Sequence, residues 1–441
     1  MAKDVSTQSQ SVSELNTCVS AGHRAASKET TFREWMVTNQ IGISLTILAT
    51  LLAAHNLYPS LRPYTAPFFQ LSYYRPAQGD YVQGFDDVYF VISSAITFTA
   101  IRAISIEWVF QPAARFGGLK RKNSIRVAEQ AWMWVYYAFF CTFGMYIWAN
   151  SNYWMDFKAI WAQWPARGVS GHLKWYLLAQ LSFWFQQILV INIEERRKDH
   201  YQMLTHHVIT SALLSSAYIY GFYNVSNVVL CLMDIVDLLL PTAKILKYLK
   251  YELSCNITFV LFMVTWLVTR HILYPRLCWS IYKDVPDAMA YGCYSGTTAE
   301  MISTNGYPDQ FRYLFYPFLN IDGPICMNRT IKWIFLGFLL ALQLLSIIWF
   351  VMVVRVAVGV LRTGNAEDTR SDDEEENEVR TTAKDAMPAS NTAITDGPNG
   401  DWRRTANGPT NVRSRGRGRV RLGDQSDRKA LLGRIGCDKP T

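Results

Sequence analysis

The chain has 441 residues, of which 50% are hydrophobic, 14% aromatic and only 18% charged. A soluble core of this size needs less apolar surface, and the apolar residues are clumped into stretches of about 20, the length that crosses a hydrocarbon layer about 30 Å thick. A soluble globular protein is thereby excluded, and the net charge of +8 points to anionic membrane or phosphate groups rather than to nucleic acid.

Residues 1–36 are polar and rich in Ser and Thr, and read as a disordered segment. They are too long for the n-region of a cleavable signal, so the first apolar stretch is expected to act as a signal anchor. Eight spans follow, at roughly 37–57, 86–110, 129–149, 174–193, 204–222, 225–241, 255–274 and 331–360. The expected fold is an all-α integral membrane protein of about eight transmembrane helices. Its parts are the N-terminal segment 1–36, a first helix and loop 37–85, a membrane domain 86–361, and a disordered tail 362–441. The sixth span is the weakest, because Asp234 and Asp237 interrupt it.

Cytosolic loops collect Lys and Arg. A cytosolic N-terminus places Arg115, Lys120, Arg121, Lys122 and Arg126 in the first inner loop, Arg196, Arg197 and Lys198 in the second, and Lys244, Lys247 and Lys250 in the third. The opposite connections are poorer in cations, so both termini are expected in the cytosol. The outer segment 275–330 holds Cys278, Cys293 and Cys326, which permit one disulfide and leave one thiol, and Asn328 opens a glycosylation sequon. In the tail, Ser371 precedes an acidic block and is a candidate phosphorylation site, while Arg413, Arg415, Arg417, Arg419 and Arg421 form a basic run.

The chemistry-bearing residues concentrate in one stretch. In a helix from Arg197 to Thr210, Asp199, Met203 and His206 share one face, and His200, Met203 and His207 the adjoining one. The next helix returns antiparallel with Asp234 and Asp237 at i, i+3 spacing. A carboxylate in hydrocarbon costs on the order of 3 kcal/mol, so such residues normally face an interior and serve a function. Helix-bridging polar contacts and a mononuclear metal site of His206, Asp234 and Asp237 are the competing readings; the spacing does not require a metal, and none is expected.

The run Glu195-Arg-Arg-Lys-Asp-His-Tyr-Gln-Met-Leu-Thr-His-His-Val-Ile-Thr210, with Met233-Asp-Ile-Val-Asp237, Lys244-Ile-Leu-Lys-Tyr248 and, upstream, Asp86-Asp-Val-Tyr-Phe90 and Ala128-Glu-Gln-Ala-Trp132, resembles the ceramide synthases. These are acyl-CoA-dependent sphingosine N-acyltransferases of the TLC-domain superfamily. A homeobox-like insertion is absent between the first two spans, which resembles the fungal type.

The resemblance implies a helical bundle around a lipid cavity in the endoplasmic reticulum membrane. Its substrates would be fatty acyl-CoA, as co-substrate rather than cofactor, and a long-chain sphingoid base. It also implies His206 or His207 as general base or acyl-accepting nucleophile, with Asp237 or else Asp234 as the acid beside it. Arg196, Arg197, Lys198, Asp199, Gln187 and Asn192 are candidate substrate-binding residues. A homo- or heterodimer, or a small single-span accessory subunit, is compatible with the resemblance. The contrasting expectation is a TLC-domain protein that binds or moves lipid without catalysis.

Overall fold

The computed structural model describes residues 32–193, 199–304 and 311–363. The expected N-terminal segment up to residue 31, and the tail from 364 with Ser371, lie outside the described residues.

Long helices dominate, and each coincides with an apolar stretch of the sequence. They are α1 (Phe32–Leu57), α2 (Asp87–Phe116), α3 (Arg121–Ala149), α4 (Gly171–Ile193), α5 (His200–Ile219), α6 (Tyr223–Tyr248), α7 (Glu252–Lys283) and α8 (Arg329–Thr363). Five of them, α1, α2, α4, α7 and α8, are long and apolar enough to cross a membrane. The other three carry polar side chains within their length, including Arg121, Lys122, His200, His206, Asp234 and Asp237.

Local chemistry sets the boundaries. Gly221 has φ +74 and sits in the tight turn between α5 and α6; a Cβ there would lie 2.9 Å from the carbonyl oxygen of Ala166, so the position needs glycine on both counts. Asn328, the sequon asparagine, uses its Oδ1 to accept a hydrogen bond at 2.8 Å from the Ile331 amide and so caps the start of α8. Two π-helical segments interrupt the regular winding, Ser105–Phe110 within α2 and Leu267–Leu273 within α7.

One end of the bundle is closed by the connections. A two-stranded hairpin, β1 (Tyr74–Arg75) with β2 (Asp80–Tyr81), lies between α1 and α2. An antiparallel sheet in the order β4 (Met301–Ser303), β3 (Gly292–Tyr294), β5 (Ile325–Met327) lies between α7 and α8. A disulfide joins Cys293 to Cys326 across β3 and β5. Cys278 remains a buried free thiol. Its setting corrects the expected boundary of the outer segment: α7 runs on to Lys283, because Leu277, Cys278 and Ile281 continue its buried face beyond residue 274. The connection therefore starts later than residue 275 and Cys278 belongs to the helix.

The same end holds a buried polar cluster. Lys174 at the start of α4 donates hydrogen bonds to the Ser72 and Val82 carbonyls, at 2.9 and 2.7 Å, and forms an ion pair with Asp87 at 2.7 Å. Asp87 in turn accepts from the Tyr218 hydroxyl of α5 and the Gly84 amide. Gln83 donates to the Ile219 carbonyl and accepts from the Tyr223 hydroxyl. These bonds tie the α1–α2 connection to α2, α4, α5 and α6. This is the sheet end of the bundle.

Candidate active site

α5 begins at the opposite end and runs toward the sheet end, with Asp199, His200, Met203, His206 and His207 all lining one cavity of about 420 Å³. The shared helical faces read from the sequence are therefore present. Lys244 and Lys247 of α6 and Arg102 of α2 also line this chamber, as does Glu129 of α3, so its walls carry charge of both signs. Beyond it lies a smaller chamber of about 90 Å³ walled by apolar residues such as Leu213, Val229, Ile281 and Phe335.

Trp184, His206, Asp237 and Arg270 line both chambers. His206 thus stands at the boundary between a chamber with charged walls and an apolar one. His207 lines only the larger. The two imidazole centroids are 5.5 Å apart, Trp184 lies 5.6 and 5.4 Å from them, and Trp349 of α8 lies 5.1 Å from His206. Among the described residues, Nδ1 of neither ring has a hydrogen-bond partner.

Asp237, the carboxylate expected beside the histidines, lines both chambers with His206 and is bonded to a third residue. Asp237 Oδ2 accepts from Arg270 Nη2 at 3.0 Å, and the same nitrogen donates to the Met233 carbonyl at 3.1 Å. Arg270 lies over the Trp266 ring at 4.2 Å, and its Nε has no hydrogen-bond partner among the described residues. Asp237 is therefore held by a cation on the π segment of α7 and borders the cavity beside His206.

Asp234 points elsewhere, because i, i+3 positions are about 60° apart around a helix. It is fully buried and lines neither chamber; Gln180 donates to its Oδ2 at 2.7 Å, and the Tyr136 hydroxyl donates to Gln180 Oε1 at 2.7 Å. This corrects its expected place as the alternative acid beside the histidines: it belongs to the packing between α3, α4 and α6. Pro241, one turn after Asp237, has no N–H to give the Asp237 carbonyl and also lines the larger chamber.

Of the candidate binding residues, Asp199 and Gln187 line the larger chamber. Asn192 does not: it is exposed and donates to the Ile188 carbonyl at 2.8 Å, so its expected role at the cavity is corrected to a surface one. Arg196, Arg197 and Lys198 lie outside the described residues. His271 faces α8, 3.0 Å from the Gln343 amide nitrogen. Among the described residues no three His, Cys, Asp or Glu side chains are grouped so as to hold a metal ion.

The site residues not singled out from the sequence above are Arg270, Trp184, Trp349 and Gln180. The available signal was a charge and an amide inside otherwise apolar helices.

The TLC-domain family profile matches residues 126–355, which include every lining residue of both chambers except Arg102 and Ile106 of α2 and Val356 of α8. The chain belongs to the TLC-domain family. It is 43% identical over 352 residues to a sphingosine N-acyltransferase-like protein of Alternaria alternata, covering 79% of this chain and 78% of that protein. It is 38% identical to a ceramide synthase of Gibberella moniliformis, over 76% of this chain and 79% of that one. A sphingosine N-acyltransferase of Schizosaccharomyces pombe is 37% identical, over 76% and 80%.

Proposed function

We propose that this TLC-domain protein transfers the acyl group of a fatty acyl-CoA to the amine of a sphingoid base, forming ceramide. The observation that carries the reading is the position of His206, whose ring borders a chamber with Lys244, Lys247 and Arg102 on one side and an apolar chamber on the other. An acyl-CoA has that same division, anionic phosphates at one end and a hydrocarbon chain at the other. With the chain in the apolar chamber and the phosphates toward the lysines, the thioester lies beside the imidazole. The names of the relatives in three fungi agree with this chemistry.

Two routes use the same ring. As a nucleophile, an imidazole nitrogen attacks the thioester carbonyl carbon, the C–S bond breaks and CoA leaves as thiolate. The amine then attacks the acyl-imidazole, the C–N bond to histidine breaks, and the ammonium proton passes to the departing imidazole. As a general base, the ring takes the amine proton while the amine attacks the thioester carbonyl carbon directly; the C–S bond breaks and the leaving CoA thiolate receives that proton from the imidazolium. Acyl-CoA is consumed as a co-substrate and neither route calls for a cofactor. The tryptophans beside the ring shield the activated acyl carbon from water. The Arg270–Asp237 pair fixes polar groups beside His206 without placing an unpaired charge in the cavity.

The test is reconstitution: purified protein given palmitoyl-CoA and sphinganine should yield the amide, read by mass spectrometry. Tight lipid binding with no amide from any acyl-CoA would instead support a non-catalytic lipid carrier.

In the membrane, the reading places all eight long helices as spans, both termini in the cytosol, and the sheet end in the lumen of the endoplasmic reticulum. The proposed catalytic unit is 86–361 rather than the profile-matched region alone, since Asp87 of α2 is bonded to α4 and α5. A cysteine replacing Lys120 should react with an impermeant maleimide added outside sealed microsomes, and one replacing exposed Asn320 only after permeabilisation. The reverse pattern would invert the orientation and put Lys244 and Lys247 on the wrong side for CoA.

A further inference from the structure

The smaller chamber has ionisable groups at two levels only. Among its described lining residues these are His206, Asp237 and Arg270, which meet at the boundary with the larger chamber, and Lys332. Lys332 lies in the first turns of α8, one residue from Ile331, whose amide is capped by Asn328. Trp349, which packs on His206, is 17 residues further along the same helix, so Lys332 is about 25 Å away along the α8 axis. It therefore marks the far, sheet end of the chamber, near Met327 and Val285.

The residue is 7% exposed. Its ammonium lies 5.4 Å from the Tyr282 ring centroid and 5.6 Å from that of Trp333. No carboxylate among the described residues forms an ion pair with it. Arg270, the other cation of the chamber, is by contrast neutralised by Asp237. An unpaired cation beside apolar walls is costly unless it reaches water or finds an acceptor, and the aromatic faces offset only part of that cost. A chamber meant for hydrocarbon alone is cheaper to close with leucine or phenylalanine.

We propose that Lys332 forms a distal polar subsite of the acyl chamber, which accepts an oxygen-bearing terminus of the acyl chain, a hydroxyl or carboxylate at the end remote from the thioester. The proposal rests on the acyl-transfer reading above and adds a substrate class to it. The apolar walls hold the methylenes, and the three N–H donors of the ammonium meet the terminal oxygen as it leaves water.

The experiment is a competition. Purified protein receives sphinganine and an equimolar pair of acyl-CoAs of the same length, one with a methyl terminus and one with a terminal hydroxyl; a second pair replaces the hydroxyl by a carboxylate. The measured quantity is the ratio of oxygenated to plain ceramide, for the natural protein and for Lys332→Met, which keeps the stem and loses the charge. We expect the ratio to fall about tenfold in Lys332→Met for at least one of the two pairs, the size of one charge-assisted hydrogen bond. Lys332→Arg should restore most of it. Equal ratios in the natural and Lys332→Met proteins, with plain ceramide formed by both, would overturn the subsite alone and leave Lys332 as a side chain that reaches the lumenal headgroups. Absence of any amide from the natural protein would overturn the acyl-transfer reading and the subsite with it. Because the readout is a ratio within one sample, partial loss of folded protein does not change it.

Discussion

His206→Ala should lower ceramide formation by about a thousandfold or more, the scale lost when a positioned base or nucleophile is removed. His207→Ala should retain more turnover. The two residues are adjacent and both line the larger chamber, but only His206 also borders the apolar one, where an acyl chain must end at its thioester. Incubating the natural protein with palmitoyl-CoA and no sphingoid base separates the two routes. A nucleophile releases one CoA per site and gains the mass of one acyl chain, and His206→Ala gains none. A general base produces neither signal in either protein. Near-normal amide formation by both histidine variants, each extracted as a folded species, would sink the catalytic assignment. Retention of the acyl adduct by His206→Ala and its loss in His207→Ala would move the nucleophile by one residue.

The helices were legible because hydropathy and length act over twenty residues at a time, and each apolar stretch forms one helix. The end of α7 was not, since its amphipathic continuation through Leu277, Cys278 and Ile281 no longer looks like a span. At the site, the faces of α5 could be read from spacing within one helix, and Asp199, Met203, His206 and His207 do line the same cavity.

The role of Asp237 could not be read in this way. Depth along two antiparallel helices places it level with the histidines, but the partner of a buried carboxylate depends on which third helix lies alongside. That helix is α7, where a π segment carries Arg270 and its neighbours. Nothing in the spacing of residues 234 and 237 indicates a partner 33 positions later. The same limit applies to Gln180 and Asp234, joined across 54 positions. Spacing locates groups on one helix, and only packing decides which helix answers them.

Lys174 is the clearest case of a residue whose importance is hidden in the sequence, where it is merely the first polar residue of an apolar span. In the structure its side chain is fully buried, with Asp87 at 2.7 Å and two carbonyl oxygens of the α1–α2 connection within hydrogen-bond reach. Lys174→Met removes the cation but not the burial, so Asp87 keeps only the Tyr218 hydroxyl and the Gly84 amide. Breaking a buried pair from one side costs about 3–5 kcal/mol, because the remaining charge has lost its compensation. The expected result is a large fall in the thermal unfolding temperature of the detergent-purified protein. Lys174→Met combined with Asp87→Asn should be more stable than Lys174→Met alone, since the second change removes the stranded charge while an amide oxygen still accepts from Tyr218. Activity should follow stability, because Tyr218 lies on α5, about 18 Å along the helix axis from His206. The pair thus anchors the far end of the helix that positions the imidazole. A Lys174→Met protein that unfolds at the natural temperature would show that the cluster contributes nothing to holding α2, α4 and α5 together. A double variant no more stable than the single one would assign the loss to the broken carbonyl contacts at Ser72 and Val82 rather than to the stranded carboxylate.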